Sequence, residues 1–258
     1  MKTRAALTLL TSLLLCCSSQ GGGAPECELR EGGIVRGPRI EKKIALMFTG
    51  HTFAEGGTLI LDQLRRHHAK ASFFLTGDFL ANPDFKPMVG RIIEGGHYLG
   101  PHSDKHLLYC PWDGPKKTLV SREVFASDLE NNLRKIEGFG VKRSQIKYWL
   151  PAYEWYNQEI VDWSKSLGLT LVNFTPGTRS NADYTEDNAK NFVSSKTILE
   201  SIIKKEQQDP DGLDGFFLLL HLGTGPARTD KMSARFGELL DYLSGKGYQF
   251  VRVDELLK

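Results

Sequence analysis

The chain has 258 residues, and its 33 Lys and Arg residues against 31 Asp and Glu residues give a formal net charge of +2 at pH 7. So small a charge offers no broad basic surface, which argues against nucleic acid as a partner. Hydrophobic residues make up 40% and charged residues 25% of the sequence, proportions typical of a globular protein and not of a disordered one.

The N-terminus has the features of a secretory signal. A basic start precedes an apolar run over residues 5–15, which is too short to span a bilayer as a permanent helix. The run ends in LLLCC followed by SSQGGG, a pattern that resembles a bacterial lipoprotein signal with Cys17 as the lipidated residue. We expect residues 1–17 to be a signal peptide and residues 18–41 a tether and lead-in. The protein is then exported, either anchored to the membrane through Cys17 (periplasmic or cell surface) or secreted.

Two cysteines, Cys27 and Cys110, lie beyond that signal. Disulfides persist in the compartments that exported proteins reach. The two residues either form a disulfide or remain two thiols, because sequence gives no distance between their Cα atoms.

Strand-like and helix-like segments alternate from residue 42 to the end of the chain. The predicted strands cover residues 42–50, 70–77, 97–100, 146–151, 169–174, 215–223 and 248–253. The predicted helices cover residues 56–70, 85–94, 121–137, 158–166, 194–207 and 233–244. This order predicts a mostly parallel sheet with helical crossovers. About seven parallel strands approach the eight of a closed barrel, so we expect residues 42–258 to form one distorted (β/α) barrel domain.

Polar residues cluster where the predicted strands end. They occupy residues 49–51, 102–106 and 153–155, together with Asn173 and His221. Because the carboxyl ends of the strands and the loops after them build the active sites of such barrels, we expect these segments to converge.

The segment PHSDKH places His102 and His106 four positions apart. Two imidazoles on a turn can bind one cation, which suits zinc, cobalt, nickel or iron, although either histidine could be an ordinary hydrogen-bonded residue. The longer segment GHYLGPHSDKH resembles the second motif of the polysaccharide deacetylases, the NodB-like carbohydrate esterases of family four.

This resemblance covers residues 42 to 254. IALMFTGH and KASFFLTG are similar to the first two strands of the family, and LPAYEW, LTLVNF and LLLH are similar to its third, fourth and last motifs. The resemblance implies a NodB-like barrel. It also implies a metal-dependent hydrolase that removes N- or O-linked acetyl groups from a carbohydrate.

The sequence departs from the family pattern in the first and third motifs. The catalytic-base aspartate of the family falls on Thr49, its metal-ligand aspartate on Gly50, and the arginine that pairs with the base on Leu150. Because the base aspartate and the arginine that pairs with it are both absent, we interpret the pattern as a rebuilt site. An arginine kept without its aspartate would leave an unpaired charge in a partly buried cleft.

A metal set can be completed by His51, which lies one residue beyond the lost ligand. With His102 and His106 it would give three neutral imidazoles and an open position for water. Zinc is the expected metal, with nickel, cobalt or iron as alternatives. His51 could instead cap a turn, and Asp104 is an alternative third ligand.

The acid and base can be assigned in the same way. Glu154 replaces the glycine that closes the third motif, and its carboxylate is the candidate general base, or else a ligand of sugar hydroxyls. His221 matches the acid histidine of the family, which protonates the departing amine. The alternative is that His221 only ends a buried strand and has no catalytic role.

Five residues are predicted to contact a polysaccharide or oligosaccharide substrate. They are Tyr153, Trp155, Asn173, Arg179 and Asp183. The alternative is that the aromatic residues pack in the core and the polar residues lie in solvated loops. Chitin oligomers, peptidoglycan and acetylated plant glycans all fit. Two rival hypotheses are a catalytically inactive carbohydrate-binding protein and a different metal-dependent reaction on the same scaffold.

Overall fold

A ring of short strands forms the centre of the molecule in a computed structural model that describes residues 26–113 and 117–258. The predicted signal peptide and Cys17 lie outside the described residues. Within the described ranges, no helix has both the length and the apolar character needed to cross a membrane.

The strands and helices follow the predicted order closely. Strands β1 to β9 are Glu28–Arg30, Gly33–Arg36, Lys43–Gly50, Ser72–Leu75, Tyr98–Pro101, Tyr148–Trp149, Thr170–Leu171, Phe216–His221 and Gln249–Val251. Helices α1 to α8 are Gly57–Arg66, Gly77–Ala81, Lys86–Glu94, Arg122–Glu137, Gln158–Ser166, Ser195–Gln208, Phe236–Gly245 and Val253–Leu256. The seven predicted strands are β3 to β9, and each predicted helix is present.

The parallel strands curl into a distorted barrel, which confirms the predicted fold class. Strand β3 pairs in parallel with β8 on one side and with β4 and β9 on the other, and β4 pairs with β5. The amide of Leu150 donates to Pro101 O at 3.2 Å and links β6 to β5. Strand β7 pairs with β6, and a bridge between Val172 and Ile34 joins it to β2. Strand β2 then runs antiparallel to β8 and closes the ring.

Strand β3 illustrates how the sequence produces this barrel. Ile44 and Phe48 pack in the outer core against the helices, whereas Ala45 and Met47 belong to the smaller core inside the sheet. Burial on both faces is typical of a parallel strand and explains its continuous apolar run. Thr49 follows on the inner face, so the strand delivers this residue to the barrel mouth.

A β-hairpin lies within residues 26–41, where the sequence predicted only a lead-in. Strands β1 and β2 pair antiparallel around Glu31 and Gly32, which have φ of 45° and 80°. Val35 is buried in β2, and the Tyr156 hydroxyl donates to Arg30 O at 2.8 Å. A polar, Gly-rich composition is shared by linkers and tight hairpins, and the long-range contacts that stabilise this hairpin are invisible in sequence.

The two cysteines lie in different environments. Cys27 is partly exposed just before β1, and Cys110 is buried. No disulfide joins Cys27 to Cys110 in the structure, so the first of the two alternatives does not hold.

Candidate active site

A cleft of about 1000 Å³ opens where the parallel strands end. The predicted site residues that line it are His51, His102, His106, Tyr153, Glu154, Trp155, Asn173 and His221. The strand ends therefore converge as expected. Arg179 does not line the cleft, because its loop turns toward α6, where the Arg179 amide donates to Ser201 Oγ at 2.9 Å.

His102 is held rigidly in the turn after β5. Its Nδ1–H donates to Leu150 O at 2.8 Å, and its amide donates to Asn132 Oδ1 in α4, also at 2.8 Å. The carbonyl of Leu150 fixes the tautomer that carries its proton on Nδ1. The unprotonated Nε2 lies 4.0 Å from Glu154 Oε1. Burial, followed by the nearby His106, lowers the pKa of His102 well below its ordinary value, so the ring is neutral.

The loop that carries His106 is organised by Asp128 of α4, a residue that sequence reasoning missed. The Asp128 carboxylate accepts hydrogen bonds from Ser103 Oγ and from the amides of Asp104 and Lys105, at 2.7 to 2.9 Å. The Asp104 carboxylate pairs with Lys135 Nζ at 2.6 Å and lies outside the cleft lining. This pairing argues against Asp104 as the alternative metal ligand.

His106 lies between two other rings. Its backbone is left-handed, with φ of 53°, and its ring centroid lies 4.5 Å from that of His51 and 4.2 Å from that of Tyr153. Burial, with the electrostatic effect of His51 and His221, lowers the pKa of His106 to about 3. His106 therefore offers a second neutral imidazole near neutral pH.

His51 extends the same row of rings. Its Nδ1 lies 3.1 Å from Thr76 Oγ1, the residue that caps α2. Burial lowers the pKa of His51 as well. The three histidines thus share one wall, yet among the described residues no three or more His, Cys, Asp or Glu side chains are arranged so as to hold a metal ion.

Glu154 lies close to His102 in a strained turn. Tyr153 and Glu154 have φ of 59° and 54°, a region that favours glycine, and Asn173 Nδ2 donates to Glu154 O at 2.8 Å. Burial raises the pKa of Glu154 to about 7. A carboxyl group with such a pKa can exchange a proton near neutral pH. Asn173 supports this turn through its side chain.

His221 at the end of β8 is paired with Asp183. One Asp183 oxygen lies 2.6 Å from His221 Nδ1, and the other accepts from the His221 amide at 2.9 Å. Burial opposes protonation of the ring, but the Asp183 carboxylate outweighs it and raises the pKa of His221. Asp183, predicted as a substrate contact, is only 2% exposed and does not line the cleft, and its carboxylate bonds to His221.

The positions of the missing family aspartates are occupied differently. Thr49 is 2% exposed, and its Oγ1 has no hydrogen-bond partner among the described residues. A Cβ on Gly50 would lie 2.9 Å from both Leu75 Cδ2 and Phe79 Cε2. Packing therefore fills the space that the first atom of a metal-ligand side chain would need.

Exposed aromatic side chains mark the same cleft. Four aromatic residues within the described ranges are exposed, and each lines it: Phe53, Trp112, Tyr153 and Tyr184. Sequence reasoning identified only Tyr153 among the four. The turn-forming segment PWDGP could have indicated that Trp112 is a surface residue.

Comparison with known families identifies the class of protein. The profile of the family described as polysaccharide deacetylase matches residues 36–172, more than half of the chain. The chain belongs to the polysaccharide deacetylase family. The resemblance to this family is thereby confirmed.

Individual relatives agree with this assignment. The chain is 27% identical over 220 residues to the peptidoglycan-N-acetylglucosamine deacetylase PgdA of Listeria monocytogenes, covering 84% of this chain and 39% of that protein. It thus spans about two fifths of that relative's length.

Two solved structures share the fold. PdaA of Bacillus subtilis, a family 4 carbohydrate esterase, superposes with a TM-score of 0.68 at 22% identity, covering 88% of this chain and 85% of PdaA. A CE4 family pseudoenzyme from Bacillus anthracis superposes with a TM-score of 0.66 at 19% identity, covering 89% of this chain and 70% of the other.

Proposed function

We propose that the chain is a hydrolase that removes acetyl groups from the sugar units of a glycan. The observation that carries this proposal is the grouping of Glu154, His102 and His221 in one cleft, with Glu154 Oε1 4.0 Å from His102 Nε2. A carboxyl group and an imidazole can act as base and acid when their different environments shift their pKa values.

Glu154 acts as the general base in this scheme. It accepts a proton from a water molecule in the cleft, and that water attacks the acyl carbonyl carbon. A pKa of about 7 leaves a substantial ionised fraction at neutral pH while keeping the carboxylate basic. The hydrogen bond from Asn173 to the Glu154 carbonyl holds the strained turn in place.

His221 acts as the general acid. Asp183 raises the pKa of His221 and fixes the ring through Nδ1, so Nε2 is the nitrogen that donates. As the bond from the acyl carbon to the sugar nitrogen breaks, His221 protonates that nitrogen. For an N-acetyl sugar the products are acetate and a free amine.

The chemistry of the three cleft histidines suits a divalent transition metal, although in this structure their side chains are not arranged around one ion. His51, His102 and His106 have lowered pKa values and therefore offer neutral imidazoles, the form that binds metal. Zinc is our first choice, with nickel, cobalt or iron as alternatives. Such an ion, when bound, would polarise the acyl carbonyl and acidify a water molecule.

A second candidate function is glycan binding without hydrolysis. It is favoured by Thr49, Gly50 and Leu150, which replace the base, the metal ligand and the partner arginine of the family. One of the fold neighbours is described as a CE4 family pseudoenzyme. The four exposed aromatic residues of the cleft would serve this function equally well.

The deciding experiment measures acetate released from chitin oligomers and from peptidoglycan fragments, with zinc, nickel or cobalt added. We expect the wild-type protein to release acetate and Glu154→Gln to lower the rate by about 100-fold or more. Glu186→Gln is the matched control, because Glu186 lines the same cleft but is exposed, and we expect a rate within about threefold of wild type. Binding of either glycan without acetate release from the wild-type protein would establish the second candidate instead.

A further inference from the structure

Trp112 is the most exposed aromatic side chain that lines the cleft. Its exposed fraction is 61%, compared with 50% for Tyr184 and about two fifths for Phe53 and Tyr153. An exposed tryptophan leaves a large apolar face in water, and apolar surface concentrated in a cleft is typical of a ligand-binding site. Trp112 lies outside the sequence segments that carry the family resemblance.

The Trp112 ring is fixed by its neighbours despite this exposure. Its centroid lies 5.5 Å from that of Tyr153, with the planes nearly perpendicular, and 6.0 Å from that of Trp155. Trp155 Nε1 donates to Pro111 O at 3.1 Å and so holds the backbone immediately before Trp112. A ring held in this way loses little conformational freedom when a ligand stacks on it.

The position of Trp112 relates it to the reactive groups. Tyr153 contacts Trp112 on one side and His106 on the other, at centroid distances of 5.5 and 4.2 Å. Glu154 follows Tyr153 directly in the chain. Trp112 is therefore displaced from the reacting centre by one intervening ring, along the wall of the cleft.

We propose that Trp112 forms a subsite that stacks against the sugar unit next to the acetylated unit. The substrate is then a chain of at least two sugars, since a single acetylated sugar at Glu154 would leave Trp112 uncovered. A pyranose ring has an apolar face for Trp112 and hydroxyl groups for the polar rim, which includes Asn181 and Thr224. This inference rests on the proposed binding of glycans but requires no hydrolysis.

The test compares the affinity of the protein for N-acetylglucosamine and for its β-1,4-linked dimer and tetramer by isothermal titration calorimetry. We expect the wild-type affinity to rise with length. Trp112→Ala should weaken tetramer binding by about tenfold and leave monomer binding unchanged, whereas Trp112→Tyr should retain most of the affinity. Leu119→Ala is the matched control, because Leu119 is a nearby residue in the sequence that is 53% exposed but does not line the cleft.

Three outcomes would count against the subsite. Tetramer binding by Trp112→Ala equal to wild type, with an unchanged thermal unfolding midpoint, would overturn the inference and leave the proposed function intact. Wild-type affinity that does not depend on chain length would do the same. A wild-type protein that binds neither these oligomers nor peptidoglycan fragments would refute the proposed function and the subsite together.

Discussion

The end of strand β3 and the ends of strands β5 and β8 differ in how their polar groups are held. At the end of β3, Thr49 Oγ1 has no hydrogen-bond partner among the described residues, and Gly50 is surrounded by apolar side chains. His102, just after β5, and His221, at the end of β8, each bond to a fixed acceptor, Leu150 O and Asp183. Buried polar groups with satisfied partners are rigid and specific. The comparison teaches that adjacent strands of one barrel can differ sharply in this respect, since Thr49 and His221 are direct neighbours in the sheet.

The largest predicted effect tests that asymmetry directly. We expect His102→Ala to lower acetate release by about 100-fold or more and to lower the bound metal measured by elemental analysis, because His102 Nε2 lies 4.0 Å from Glu154 Oε1. His51→Ala, just after β3, should have the smaller effect on the rate. His68→Ala, an exposed histidine outside the cleft, is the control. Equal losses for His51→Ala and His102→Ala would show that the ends of β3 and β5 contribute alike.

The next prediction concerns the acid. Asp183→Asn removes the negative charge that stabilises protonated His221, so the pKa of His221 should fall and acetate release should drop by roughly tenfold to 100-fold. The ring titration can be followed by NMR in the metal-free protein. An unchanged His221 pKa would rule out the pairing as the cause of the shift.

A stability prediction probes the end of β3. Gly50→Ala should destabilise the protein by about 1–3 kcal/mol, because the added Cβ overlaps with Leu75 and Phe79. Gly90→Ala is the matched control: its Cβ would meet no atom within 4 Å, and alanine favours helix α3, so we expect stabilisation by about 0.5–1 kcal/mol. Urea unfolding measures both. A neutral Gly50→Ala would mean that this space is open to a side chain.

The smallest effect uses a histidine outside the cleft. His97 accepts a hydrogen bond from the Ala71 amide through Nδ1, and burial, with Lys70 and Arg252 nearby, lowers the pKa of His97 to about 4. The unfolded chain binds this proton below about pH 6.5 and the folded chain does not until about pH 4, so stability falls as the pH decreases through that window.

His97→Asn keeps an acceptor and removes the titration. We expect the variant to lose less stability than wild type between pH 6.5 and 4, by about 1–2 kcal/mol once partial solvent exposure is allowed for. Urea unfolding at several pH values measures the difference. Parallel pH profiles for the two proteins would contradict the assignment. A lowered histidine pKa is thus a mark of burial in this protein, inside or outside the site.

Much of the fold could be predicted because its signals are local. Continuous apolar runs identified β3 and β8, and helical spacing identified α5 with its observed ends, Gln158–Ser166. The β1–β2 hairpin was missed because its contacts with Tyr156 and β8 join segments far apart in sequence.

The site was predictable in part for the same reason. The positions of His102, His106 and His221 followed from motifs at strand ends. The pairing of Asp183 with His221 was missed because the two residues are 38 positions apart in sequence. Trp112 was missed because exposure depends on the whole fold.

The left-handed turn at Tyr153 and Glu154 has a consequence for engineering this protein. A non-glycine residue in that conformation costs about 1 kcal/mol or more, and here two follow each other. Glycine at position 154 would relieve part of this strain but would also remove the carboxylate from the cleft. Stability and the proposed catalysis therefore place opposite demands on this position, so a stabilised Glu154→Gly variant is expected to lose activity.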